Sequence, residues 1–381
     1  MSERAERWAS TMRGSDGPEG IRLAHADSRA AVGKVAPLWR EEREATEDAA
    51  LAPLATRARG AGDRALPEQP DGERTCFERD RDRILHGTTA FRRLAGKTQV
   101  FVRPADHQRT RLTHALEVAQ VATAVARATR LNVALTEAIA LGHDCGHGPG
   151  GHASEDALSP YVEGGYDHAV WGADVVLVPL NLCAQTLDGV RNHSWSRPAP
   201  ATPEGEVVSW SDRIAYVCHD FEDAVRAGIV TPALLPALVR ERCGLSRGEQ
   251  LGAFITAMVS ATARTGRVGM EEDVAEALAA FREANYEQIY LRPASVAASE
   301  AVSDVLRALV EHFAGRPGLL SAVAVPADGT PGRELDAGGP QALRAAVTYV
   351  AGMTDRFAFS TAVALLGWDP GRLPPGVGGA D

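Results

Sequence analysis

Cysteine is scarce and unpatterned in this chain of 381 residues: five are present, at 76, 145, 183, 218 and 243, and no two stand in Cys-x-x-Cys spacing. That excludes a thiolate zinc knuckle and a redox dithiol motif. The odd number predicts reduced thiols in a cytoplasmic protein. Long apolar runs are also missing. No stretch approaches the roughly 20 residues that a membrane-crossing helix needs, and the first residues contain no secretory apolar core, so no membrane partner is expected. Positive charge is not in excess. Lys and Arg number 40 against 50 Asp and Glu, a formal net charge of −10. This argues against nonspecific nucleic-acid binding by the whole surface, yet leaves room for a local basic cluster that holds an anion. Aromatics are sparse at 6 %, while Ala, Gly and Arg are abundant in an otherwise ordinary composition.

What is present is helical periodicity. The length allows a large core, in one big domain or two. Residues 1–36 are polar, rich in Gly and charge, and are expected to be a mostly disordered extension. Residues 37–76 are expected to hold a short surface helix and a loop, and the ordered core is expected to begin near Phe77. The segment 80–94 alternates apolar and basic positions as a helix does. Lys97–Val102 reads as a short extended piece, followed by a polar loop over 103–110. Leu112, Leu116, Ala119 and Thr123 recur at spacings of three and four, as do Val118, Val121, Ala122 and Val125, which predicts a strong helix over 112–130. Another is predicted over 134–143, with Thr136 as its cap. Residues 167–178, 180–190, 206–227, 231–240, 248–263, 270–285, 294–314 and 339–366 read as further helices. Pro and Gly cluster in 196–205, 315–340 and 369–380, which are loop or tail. The expected fold class is all-α, organised as a core over 77–230, a C-terminal helical part of the same unit over 231–368, and a flexible tail over 369–381.

The chemistry concentrates in a few residues. His143 to Glu155 reads His-Asp-Cys-Gly-His-Gly-Pro-Gly-Gly-His-Ala-Ser-Glu, with His114 upstream and Asp212 downstream. His114 falls in one predicted helix, His143 and Asp144 at the end of the next, and Asp212 in a later one. Two imidazoles and two carboxylates brought from separate elements suit a divalent cation, one of Mn, Mg, Fe, Co, Ni or Zn, with positions left for water and substrate. A regular helix cannot aim adjacent residues inward together, but a helix end can, and Gly146 suits such an end. Beside these lie His147, His152, Glu155 and His168. His152 and Glu155 share a helix face at i and i+3, and a neutral imidazole beside a carboxylate can move protons near neutral pH. Basic residues are at hand. Arg111 lies one turn before His114, Arg213 and Tyr216 follow Asp212, and Asp212, Tyr216 and Asp220 line one face at i, i+4 and i+8. Lys97, Arg103 and Arg109 add positive charge, and Arg and Lys pair with phosphate oxygens. Taken singly, each histidine reads more readily as a structural residue and a run of Arg as a solvated surface, with Arg111 and Arg213 read as functional; the ordered set is what points to hydrolysis of a phosphate ester.

The same residues carry a resemblance. Phe77–His86, Ala90–Phe101, Arg109–Gln120, Gly142–Glu155, Asp212–Ala224 and Tyr349–Ala358 are similar to HD-domain deoxynucleoside triphosphate triphosphohydrolases of the bacterial dGTPase-like group. The likeness covers roughly residues 38–366. It implies a helical HD phosphohydrolase fold and hydrolysis of a dNTP to a deoxynucleoside and tripolyphosphate. It implies metal ligation by His114, His143, Asp144 and Asp212, and catalysis by His152 and Glu155 with His168 nearby. His147, Arg111, Arg213, Tyr216, Asp220 and Lys97 are then expected at the substrate. Members of the group form homo-oligomers, hexamers or tetramers, and some are activated by a dNTP at a second site. Weak single-stranded nucleic-acid binding belongs to the same expectations. One departure is Gly150, where the group usually has a bulky aromatic, which bears on substrate preference. Two other readings stay open: an HD phosphohydrolase acting on another nucleotide, and a non-catalytic dNTP sensor or nucleic-acid binder.

Overall fold

Caps account for many of the helix boundaries. In the computed structural model, residues 2–11, 13–100, 108–320 and 332–374 are described; Arg103 with the 103–107 part of the polar loop, and 375–381 of the expected tail, lie outside them. The chain divides into two compact units, Met1–Leu38 and Trp39–Asp381. The first holds helix α1 (Glu3–Thr11) and an antiparallel pair, β1 (Ser15–Asp16) and β2 (Arg22–Leu23), with Ser15 opposite Leu23. Residues 1–36 thus carry more regular structure than their composition suggests. Glu3 and Glu6 in the first turn of α1 favour its N-terminus.

The second unit holds α2 (Arg40–Ala50), α3 (Cys76–Asp82), α4 (Thr89–Arg93), α5 (Arg111–Thr129), α6 (Val133–Gly142), α7 (Ala153–Leu158), α8 (His168–Trp171) and α9 (Ala184–Arg191). It continues with α10 (Pro203–Arg226), α11 (Ala237–Cys243), α12 (Arg247–Thr265), α13 (Glu272–Asn285), α14 (Pro293–Gly315), α15 (Pro340–Ala351) and α16 (Asp355–Leu366). The all-α class holds: among the described residues, strand pairing is limited to β1–β2 and two isolated bridges, one of them Thr98 to Thr110.

Several boundaries differ from those read in the sequence: 80–94 is broken into α3 and α4, 167–178 holds only the short α8, and 231–240 begins its helix at Ala237. Helix α6 is capped by Asn132, whose side chain accepts from the Leu135 amide at 3.0 Å, and Thr136 lies inside the first turn with its hydroxyl on the Asn132 carbonyl. Asn is the stronger cap because its carbonyl reaches the free amides of the first turn. The expected single helix over 339–366 is two. Gly352 ends α15, and Thr354 caps α16 by accepting from the Phe357 amide.

Helix α5 packs on α6 and α10, burying Val118, Val121, Val125, Ile139, Ile214 and Val217 in one apolar core. Helix α14 packs on α7, α15 and α16 around Leu158, Val302, Leu306, Val350 and Phe359 in a second. Each such side chain contributes roughly 1.5–3 kcal/mol by leaving water. All five cysteines are buried and free. Among the described residues, no helix is long and apolar enough to cross a membrane.

Candidate metal centre and active-site cavity

Helix α6 ends at Gly142, and the next residues fold back beneath α5 and α10. His143 keeps helical backbone angles as the C-cap. The turn after it is forced tight by a close approach at Gly146: a Cβ there would lie 2.0 Å from the His168 carbonyl oxygen and 2.4 Å from the Gly172 nitrogen. Only glycine lets these segments meet.

His114 and Arg111 of α5, His143 and Asp144 after α6, and Asp212 of α10 converge there. His114 Nε2 lies 3.0 Å from Asp212 Oδ1, and His143 Nε2 lies 3.4 Å from Asp144 Oδ1 and 3.7 Å from Asp212 Oδ1. One ligand atom from each of His114, His143 and Asp212 falls within 4.8 Å of the other two. His143 Nδ1 faces the Ala140 carbonyl at 2.6 Å, which makes it the protonated nitrogen and leaves a lone pair on Nε2. That Nε2 is buried and has no hydrogen-bond partner. A buried nitrogen lone pair among carboxylates, with its ring fixed from behind by a carbonyl, fits a divalent cation. Burial pushes the His143 imidazole down, but Asp144 and Asp212 outweigh it and hold it up at about 9, while His143 and Arg111 keep Asp144 well below the usual carboxylate range against the effect of burial. A cation bound here displaces that proton.

Arg111 is fully buried, and its Nη1 donates to Asp144 Oδ2 at 2.7 Å. Its Nε and Nη2 are buried without partners, so the guanidinium still has donors to offer an anion. His147 is buried, stacked on His168 with ring centroids 3.7 Å apart, and its Nε2 lies 3.2 Å from Asp144 Oδ1. Burial, reinforced by Arg111, keeps it well below the usual histidine range. His152 is the N-cap of α7 and is open to the cavity. Surrounding protein pushes it down to about 4, with Arg111 adding to the effect, so it is neutral at pH 7.

Glu155 is placed differently from the expected pairing with His152. Its Oε1 accepts from His168 Nδ1 at 2.7 Å, because His152 stands at the helix cap while the α8 histidine reaches the carboxylate directly. His147, His152, Glu155 and His168 nevertheless bring ligand atoms within 4.8 Å of one another.

Arg111, His114, Asp144, His147, His152, His168 and Asp212 line a cavity of about 780 Å³. Arg213, Tyr216 and Asp220 of α10 also line it, beside Asp212. The Arg213 guanidinium lies 3.7 Å over the Trp195 ring. Tyr216 accepts from Arg282 Nε at 2.9 Å, and Asp220 accepts from the Tyr290 hydroxyl at 2.5 Å. Burial pushes Asp220 up to about 8. Lys97 does not face this cavity. Its ammonium is buried against the carbonyls of His147 and Ala351, and burial pushes it down to about 8. It ties the histidine loop to α15 instead of meeting an anion. Arg109 is likewise consumed, by Glu117, Glu222 and Asp223.

Several residues at the cavity escaped the reading of the sequence. His193 lies alone between Asn192 and Ser194, with no ligand spacing to mark it. Arg282, Tyr286 and Tyr290 recur at i, i+4 and i+8, a helical signal that was there to find. Gly150 has φ +74°, and a Cβ on it would meet Val302 Cγ1 at 2.5 Å. The space that a larger residue would need is thus filled from α14.

Comparison with known proteins agrees with this layout. The HD domain pattern matches residues 111–217, and the phosphohydrolase-associated domain pattern matches 268–363. A deoxyguanosinetriphosphate triphosphohydrolase-like protein of Caldanaerobacter subterraneus subsp. tengcongensis is 39 % identical over 326 residues, covering 84 % of this chain and 93 % of the relative. Proteins of the same name from Deinococcus deserti and Desulfatibacillum aliphaticivorans are 36 % and 35 % identical, covering 88 % and 84 % of this chain and 97 % and 96 % of the relatives. With the HD site assembled and the likeness running nearly end to end in those relatives, this chain belongs to the deoxyguanosinetriphosphate triphosphohydrolase-like family of HD-domain phosphohydrolases.

Proposed function

We propose that the chain hydrolyses a deoxynucleoside triphosphate to the deoxynucleoside and inorganic tripolyphosphate. The observation that carries this is one of placement: His114, Asp144 and Asp212 of the HD ligand set line a nucleotide-sized cavity that also presents Arg111, Arg213, Arg282 and Arg292. His114, His143, Asp144 and Asp212 would hold a divalent cation, which when bound supplies Lewis-acid activation of the phosphate. Arg111 and Arg213 offset the charge of the triphosphate with donors that are already desolvated. His147 contacts the α-phosphate oxygens. Water attacks the α-phosphorus in line with the 5′ oxygen; the new P–O bond forms as the P–O5′ bond breaks. His152, neutral at pH 7, moves the proton that leaves the water and is needed by the 5′ oxygen. Glu155 and His168 hold the polar surroundings of that ring in place. Tyr216 lies under the deoxyribose, where a 2′-hydroxyl would crowd it, and Asp220 meets the sugar.

The test is product analysis on the four dNTPs and the four NTPs, with Mn and Mg supplied separately. Tripolyphosphate with deoxynucleoside is the expected result. Orthophosphate or a nucleoside monophosphate would transfer the site to another nucleotide reaction, and binding of dNTPs without turnover would make the chain a sensor.

A further inference from the structure

Cys76 opens α3 and Cys183 stands at the N-cap of α9, and both are buried. A buried ion pair pins the two helix starts together. Asp80 Oδ2 accepts from the Cys183 amide at 2.9 Å and from the Thr186 hydroxyl at 2.7 Å, while its Oδ1 meets Arg64 Nη1 at 2.6 Å. Arg64 Nη2 in turn donates to the Cys76 carbonyl at 3.0 Å. The backbone of each cysteine is thus held by one partner of the same pair.

The two sulfurs meet beneath Gly62. A Cβ on that glycine would lie 2.4 Å from Cys183 Sγ and 3.3 Å from Cys76 Sγ. Its φ of +81° and this crowding both call for glycine. The thiols hydrogen-bond to each other, which draws the Cys76 thiol below its ordinary range and pushes that of Cys183 up. Cys76 is therefore the readier nucleophile of the two. Deep burial keeps a thiol inert, but the cover here is a single turn. The Gly62 amide closes it on the Arg59 carbonyl at 2.9 Å, and Arg59 and Asp63 on either side are exposed.

We propose that Cys76 and Cys183 are a reversible thiol–disulfide site that responds to a hydroperoxide. The Cys76 sulfur attacks a peroxide oxygen; the O–O bond breaks, leaving a sulfenic acid and, from hydrogen peroxide, one water. The Cys183 sulfur then attacks the Cys76 sulfur. The S–S bond forms as the S–O bond breaks, and a second water leaves with the thiol proton. Two electrons pass from the thiols to the peroxide. The bond fastens α3 to the start of α9, whose far end leads to His193, Ser194 and Trp195 at the cavity. It also restricts the unfolded chain, which stabilises the fold.

The full chain is purified under reductant, desalted, treated with hydrogen peroxide and blocked with N-ethylmaleimide. It is then cut with trypsin and a glutamate-specific protease, which parts Cys183 from Cys145 at Glu155 and Glu163. Mass spectrometry is expected to find a Cys76–Cys183 linked peptide and the loss of two of the five free thiols. Dithiothreitol should restore both thiols, and the oxidised chain should melt at a higher temperature than the reduced one. Cys76→Ser should show neither the link nor the rise in melting temperature. Five free thiols after treatment, a bond between Cys218 and Cys243 alone, or a sulfinic acid on Cys76 without a link overturns the site. Should Cys76→Ser fail to fold, the wild-type peptide map decides alone.

Discussion

The carboxylate of Asp355 accepts from the Gly150 amide at 2.8 Å. It also accepts from the Thr98 amide at 2.8 Å and from the Thr98 hydroxyl at 2.5 Å. The first residue of α16 thereby holds the turn that leads to His152. Together with Lys97 on the carbonyls of His147 and Ala351, it fastens the histidine loop to the C-terminal helices. Asp355→Ala leaves two backbone amides without their acceptor. Each costs about 1–3 kcal/mol when buried. Lower thermal stability and a fall in kcat are expected, because Thr98 and Gly150, which the carboxylate holds, both line the cavity. Asp355→Asn keeps one acceptor oxygen and should recover part of both. Melting curves with steady-state kinetics check this; a variant with wild-type kcat would show that the loop positions itself.

Asp220 supplies a pH test with a definite sign. Burial raises it to about 8 in the folded chain, against about 4 for an exposed aspartate. Between those values the native state holds a proton that the unfolded state has released. Stability contributed by this group is therefore complete below about pH 4, declines as pH rises, and is lost above about pH 8. The slope cannot exceed about 1.4 kcal/mol per pH unit for one proton. Asp220→Asn, which cannot titrate, should gain on the wild type steadily from pH 5 to pH 8. Denaturant midpoints of both proteins across that range measure it, and parallel curves would contradict the buried protonated carboxyl.

The helices were legible where the apolar positions repeat, as in 112–130, because burial of one face imposes that period. Their ends were less so. The sequence points to Thr136 as the cap of α6, and only the path of the chain shows that Asn132 meets the free amides instead. For the site, His114 and Asp212 stand out because each lies on a helix whose inner face is already marked by its apolar neighbours. His193 has no such frame; it follows α9 in a Ser-rich loop, and its partners arrive from α8 and from the turn after α6. Lys97 shows the converse. A charged residue near a phosphate-like motif reads as an anion contact, but charge alone does not reveal that its ammonium is buried on two carbonyls. The swap of Glu155 from His152 to His168 has the same origin, since contacts between α7 and α8 are not encoded by spacing within either helix.

Trp195 backs Arg213 at the cavity mouth. The indole is 47 % exposed, stands edge-on to Trp210 at 4.7 Å, and carries the guanidinium 3.7 Å over its ring. Such a stack contributes about 0.5–1 kcal/mol at an exposed site. Trp195→Ala should raise KM for a triphosphate about two- to five-fold with kcat nearly unchanged, as that energy converts to affinity. Trp195→Phe should fall between. Arg213→Lys should cost more, because an ammonium keeps the charge but loses the planar stack and the fork of donors. Initial rates over a range of dNTP concentrations separate these cases, and a kcat effect without a KM effect would move Trp195 from binding to chemistry.

His152 is the residue on which the chemical step is staked. Its ring stands 5.0 Å from His147 and 5.9 Å from His168, centroid to centroid, and is open to the cavity. It is not among His114, His143 and Asp212, the cluster read as holding the cation. His152→Ala should therefore leave metal content at the wild-type level while turnover drops by about 10² or more, the range of lost proton transfer. Imidazole added to the assay should restore part of the loss, since the truncation opens a space beside the phosphate without removing its other contacts. Parallel loss of metal would make His152 a ligand. Full turnover in the alanine variant would pass the proton-transfer role to His168, which already has Glu155 at 2.7 Å behind it.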